Sequence, residues 1–174
     1  MTPERTPSRG DLLDALRGSR DEVIALVRGV PVEHLDRGRY ENGWNGRQIL
    51  AHLAAIEWTY PRLIDIARTA PAGATAEAAG GDLPTRAMRG GNDAYNERQV
   101  AKRAQVSAPE LLAEFERNRA VTIAAVEAAE EELFTRRIQS AGGATGTLAS
   151  VLHQVAVHHV LGHARDIARA GRAE

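Results

Sequence analysis

The sequence predicts an all-α fold, an antiparallel four-helix bundle with one long crossover connection and a short extra helical segment. Three observations carry that reading. Apolar residues recur at spacings of three and four over several long stretches, no stretch longer than a few residues alternates as a strand would, and residues 70 to 91 are too long and too poor in periodic apolar side chains to be a simple turn. At 174 residues the chain reads as one domain from end to end, large enough to bury roughly 70% of its unfolded surface.

Residues 1 to 7, with two prolines, read as a loose tail. Leu12, Leu13, Leu16, Val23, Leu26 and Val27 then predict a helix from about Arg9 to Arg28, ended by Gly29 and Pro31. The connector holds one short turn and His34, which is expected to be exposed among polar neighbours. Asn45 can cap the next helix, with Gln48 reaching back in a capping box. Counted at 100° per residue, Ile49, His52, Leu53, Ile56, Tyr60, Leu63 and Ile64 fall within about 60° of one direction, so His52 points at the core. Pro61 lies inside this pattern and predicts a kink or break near Glu57.

The segment from 70 to 91 is mostly alanine, glycine and proline, and both a lid over a site and a plain crossover fit its length. A helical segment over residues 92 to 104 carries Tyr95, Asn96 and Val100. Ser107, Pro109 and Glu110 form a second N-terminal signature, and Leu111, Leu112, Phe115, Val121, Thr122, Val126 and Ala129 carry that helix to about residue 132. A short extended piece fits residues 136 to 139, SAGGATG is a break, and Thr147 starts a last helix to about residue 170.

Composition narrows the function. The 22 basic and 23 acidic residues leave a net charge of -1 without a basic stripe, which argues against nucleic acid as partner. No run approaches the ~18 apolar residues of a membrane span, and no apolar segment follows the charges of the N-terminus, so a cytoplasmic protein that does not meet a membrane is expected. Cysteine is absent, which excludes disulfides, thiolate zinc sites and a cysteine nucleophile. Any metal must be held by imidazole and carboxylate.

Four of the six histidines fall inside the stretch SVLHQVAVHHVLGHAR. With Leu148 as the zero of a regular helix, Val151, Leu152, Val155, His159, Gly162, His163 and Asp166 lie within about 60° of it, while His153 and His158 stand at about 140° and 280°. His159 and His163 are thus one turn apart on the core stripe, a spacing that lets two imidazoles hold one ion. With His52 from another helix, the bundle interior would hold three imidazoles. A metal site with open positions and a polar core cluster both fit. His153 and His158 read as exposed or semi-exposed bystanders, with a role at a dimer face as the alternative.

GWNGRQILAHLAAIEWTYPRLI resembles the second-helix signature of the DinB/YfiT-like metalloenzyme superfamily, which includes the N-terminal domain of mycothiol-dependent maleylpyruvate isomerase, and VAVHHVLGHARDI resembles its last-helix signature. The resemblance spans most of the chain. It implies a four-helix bundle, often a homodimer, with His52, His159 and His163 as the metal triad, and members that include thiol-dependent transferases, isomerases and hydrolases. Gly162 and Ala164 depart from the polar or acidic residues common beside the last histidine, so no role is carried over there.

Three imidazoles suit zinc, nickel, iron or copper, with zinc or nickel preferred. Such an ion can activate a water, the thiolate of a low-molecular-weight thiol, or a substrate carbonyl. Asp166 and Glu57 are the candidate catalytic groups, as orienters or proton relays, although Asp166 can instead pair with Arg165 or Arg169 and Glu57 can be a plain surface residue. Trp44, Trp58, Tyr60 and Tyr95 are candidates for pocket walls or for core. The expected function is a metal-dependent transferase or hydrolase of a small electrophilic substrate. The alternative is a stress-linked binding or sequestration protein without turnover.

Overall fold

Helix α1 (Arg9–Arg28) begins at a reciprocal cap: the Asp11 N–H donates to the Ser8 hydroxyl at 3.1 Å, and the Ser8 N–H donates to the Asp11 carboxylate at 2.9 Å. The computed structural model describes residues 5–39, 43–70, 91–170 and 172. Of the expected tail only residues 5 to 7 are therefore described, and there the Arg5 guanidinium meets Asp11 at 2.9 Å. A short 3-10 turn, Val32–His34, leads on to α2 (Gly46–Glu57). Its cap is again reciprocal, with Asn45 and Gln48 bonded at 2.9 Å in both directions. The first residue of α2 must be small. A Cβ on Gly46 would stand 3.1 Å from the Leu35 carbonyl oxygen, the same oxygen that accepts the Arg47 N–H at 2.9 Å.

The interruption expected at Pro61 is a full break. Helix α2 stops at Glu57, residues 58 to 60 turn, and Pro61 opens α3 (Pro61–Thr69) at the one helical position where its missing N–H is harmless. The crossover expected over residues 70 to 91 lies, apart from its two ends, outside the described residues, and with it the reading of a lid. Helix α4 (Gly91–Lys102) follows, then α5 (Ala108–Ala128), capped by Ser107 and Glu110 with Pro109 in its first turn. It ends earlier than its apolar pattern suggests and gives way to a 3-10 turn, Glu131–Thr135. The extended piece has a partner that local pattern did not reveal: β1 (Arg137–Gln139) pairs antiparallel with β2 (Thr145–Thr147), Ile138 opposite Gly146, so SAGGATG spans a hairpin.

Thr147 caps the last helix, which runs as α6 (Leu148–Leu152), a π-helical segment (His153–His158) and α7 (His159–Ala170). Helix α2 packs on α5 and α7, and α1 packs on the same two, so α1 and α2 face each other across the bundle although they are consecutive in sequence. Leu12, Leu16 and Val23, Leu50 and Leu53, Leu111 and Phe115, and Leu148, Val160 and Ile167 meet in the fully buried centre. Helix α4 lies against α2. Among the described residues no helix is long and apolar enough to cross a membrane.

The π segment corrects the helical phasing. Leu148, Val151 and Leu152 are buried before it, and Ala156, Val157, Val160, His163, Ala164 and Ile167 after or within it. Val155 and Asp166, expected on the core stripe, are half-buried; Gly162 and His159 are exposed. A wide turn accommodates one extra residue, which rotates the second half of the helix by about 100° against the first. His159 thereby moves from the middle of the stripe to its rim.

Candidate metal centre

His52 is placed by α2. The Asn45 cap sets where the helix starts, and the residue one turn past Gln48 falls on the buried face, leaving His52 only 3% exposed. The Trp44 ring lies 5.1 Å from the imidazole, and its indole N–H donates to Glu97 on α4 at 2.9 Å, so the tryptophan is held against the histidine from outside. His159 and His163 come from successive turns of α7, with ring centroids 4.5 Å apart. Their rings stand 5.9 and 5.2 Å from that of His52. One nitrogen from each of the three lies within 4.8 Å of the other two.

Burial and charge keep the His52 and His159 rings neutral. Burial pushes His52 down to about 3, with the neighbouring positive charge that His163 and His159 would carry adding to it. His159 stands at the open rim, yet enough of its ring is withdrawn from water to bring it down to about 4, burial first and His163 second. No hydrogen bond contributes to either shift. Three converging imidazoles fit a borderline divalent ion that takes nitrogen at about 2.0–2.1 Å, and the exposed side at His159 leaves a position for another ligand. Two of the three imidazoles are buried and one is exposed.

The other expected site residues are placed differently. Glu57 is not at the surface: it is 0% exposed and forks onto Arg119, Nε to Oε1 at 2.6 Å and Nη2 to Oε2 at 2.9 Å. Burial raises its pKa above the usual carboxylate range, and Arg119 pulls it back. Asp166 pairs with Arg169 at 3.4 Å, while Arg165 turns to Glu22 at 3.0 Å. His153 and His158 meet edge to face with ring centroids 4.6 Å apart, outside the cluster. His34 is half-buried rather than exposed. Trp58 lies open to solvent with the Arg62 guanidinium 5.9 Å above its ring. Tyr60 and Tyr95, with Ile56, Leu63, Asn96 and Val155, line a cavity of about 90 Å³. Ile56 is one turn beyond His52, and Val155 precedes His159 by about one turn, but none of the three histidines is among the residues that line the cavity.

Arg119 is the residue that sequence reasoning passed over. Its signal was present: on α5 it falls in line with Leu111, Phe115, Thr122 and Val126, an arginine on an apolar stripe, while Val121, counted with that stripe, is 58% exposed.

Fold and cluster together define a helical bundle whose facing helices bring three histidines to one point. Residues 15–167 match the family model of the DinB superfamily, and the chain belongs to that superfamily. Among solved structures, a mutant of the mycothiol-dependent maleylpyruvate isomerase is similar with a TM-score of 0.70 at 17% identity, over 96% of this chain and 63% of that one. YfiT from Bacillus subtilis, described as "a probable metal-dependent hydrolase with an unusual four-helix bundle topology", is similar with a TM-score of 0.62 at 17% identity, over 97% and 92% of the two chains. The chain spans less than two thirds of the isomerase's length. At such identities the likeness establishes the fold. No curated protein matches the chain in sequence.

Proposed function

We propose that this protein is a metal-dependent enzyme, a transferase or hydrolase acting on a small electrophilic substrate, with His52, His159 and His163 as ligands of one divalent ion, zinc or nickel. The observation that carries this reading is the convergence of three imidazoles, nitrogens within 4.8 Å of one another, at a site open on one side. When bound, the ion supplies Lewis acidity to a water, a thiol or a carbonyl oxygen. The chain's own residues do the rest. Trp44 holds the His52 ring from behind, the apolar walls at Ile56, Leu63 and Val155 take the substrate's apolar part, and Asn96 and Tyr95 offer hydrogen bonds beside it. A low-molecular-weight thiol as co-substrate is supported by the mycothiol dependence of the similar isomerase, and a homodimer is the assembly that the family resemblance implies.

Metal analysis of the native protein is expected to find about one zinc or nickel per chain, and none in a His52→Ala variant. Addition of thiol to small electrophiles, or their hydrolysis, should appear only with the metal present. A wild-type protein that holds no divalent ion at micromolar concentration would sink the proposal.

One observation favours a second reading, a protein that sequesters a small molecule or metal without turnover. Both carboxylates expected to relay protons are engaged by arginines, Glu57 by Arg119 and Asp166 by Arg169. One bound ligand per chain with no consumption of any electrophile would select it, and turnover would end it.

A further inference from the structure

We propose that Arg119 is a positioning residue for the histidine cluster: its guanidinium ties His52's helix to the π segment that delivers His159 and His163. The inference rests on the metal reading above. A π turn leaves carbonyl oxygens without the partners that a regular helix would give them. Two carbonyl oxygens of the segment are bonded from other parts of the fold. The Val155 carbonyl accepts from the Tyr60 hydroxyl at 2.7 Å, and the Ala156 carbonyl accepts from Arg119 Nη2 at 2.6 Å. The same guanidinium donates to both Glu57 oxygens, to the Leu16 carbonyl at 3.0 Å and to the Ser19 hydroxyl at 2.7 Å. One side chain on α5 therefore holds α1, α2 and the π segment.

Its two strongest ties lie close to the ligands along the chain. Glu57 sits on α2 a little over one turn past His52, and Ala156 lies just before His159. Stability alone is a poor account of this arrangement, because burying an ion pair commonly costs in desolvation what the attraction returns. Arg119 and Glu57 are both 0% exposed, the circumstance in which that cost is greatest. What the pair does supply is a unique arrangement. Without the Arg119 donor at Ala156 the π turn keeps only the Tyr60 bond at Val155, and if it relaxes to a regular helix the halves on either side turn by about 100° against each other. His159 and His163 would then leave His52, or the core stripe around Val160, Ala164 and Ile167 would have to leave the interior.

The test separates positioning from packing. The Glu57→Leu/Arg119→Leu double variant removes the charges together, so that neither is stranded, and Arg119→Lys keeps the charge but not the fork. Zinc affinity is measured by competition with a chromophoric chelator, and site geometry by the visible spectrum of the cobalt(II)-loaded protein, alongside the melting temperature of the metal-free protein. In both variants zinc binding is expected to weaken at least tenfold with an altered cobalt spectrum, whatever the change in melting temperature, and Tyr60→Phe should weaken it less. If the double variant does not fold, Arg119→Lys alone decides. Variants that bind zinc as wild type does, with an unchanged cobalt spectrum, overturn the role of Arg119 and leave the metal reading intact. A wild-type protein that binds neither ion overturns both.

Discussion

His52 illustrates how one residue's surroundings set its chemistry. An imidazole with an ordinary pKa of 6.5 is brought to about 3 because water is excluded and two further imidazoles stand nearby. The folded state then binds fewer protons than the unfolded one between those values, so stability rises with pH across that window, is complete above about 6.5 and is lost as pH falls towards about 3. Chemical denaturation of the metal-free protein at a series of pH values should show that slope, and His52→Gln, which cannot titrate, should flatten part of it. Equal slopes in the two proteins would rule out His52 as the source. Arg119 shows the same dependence from the other side. Arg119→Leu alone leaves Glu57 buried without its partner and is expected to cost about 3–5 kcal/mol, whereas replacing both by leucine should cost clearly less; urea unfolding of the two variants checks the order.

At the level of elements, the helix starts are local devices. Ser8 with Asp11, Asn45 with Gln48 and Ser107 with Glu110 each satisfy two N–H groups that a helix end leaves open. Asn45→Ala should therefore cost about 1 kcal/mol of stability. It should leave the metal content of the folded protein unchanged, because Ile49, Leu50 and Leu53 hold the phase of α2 once the core has formed. Urea midpoints and metal analysis of the same sample test both halves of that statement. The last helix behaves differently. Its two halves are each regular, and the segment between them accepts hydrogen bonds from donors that come from α5 and from the residue before α3.

For the whole molecule, a site shared by α2 and α7 makes the metal a cross-link between helices that are far apart in sequence. An ion that binds only the folded chain stabilises it by about 2.7 kcal/mol at a hundredfold excess over Kd. For a chain of this size that amounts to a rise in Tm of roughly 5–11 °C. The shift should vanish in a His159→Ala/His163→Ala variant; a shift of equal size there would place the ion elsewhere.

Much of this arrangement could be read from the chain alone. The span of α1, the cap of α2, the break at Pro61, the inward direction of His52 and the one-turn spacing of His159 and His163 all depend on residues a few positions apart, and short-range hydrogen bonds and apolar periodicity suffice to determine them. The π turn, the burial of Glu57 against Arg119, the pairing of β1 with β2 and the position of His159 at the rim were decided only by tertiary structure. The reason is physical. Helical phasing assumes a constant 3.6 residues per turn. That constancy fails at the π segment, where Tyr60 and Arg119 donate to the Val155 and Ala156 carbonyls from elsewhere in the fold.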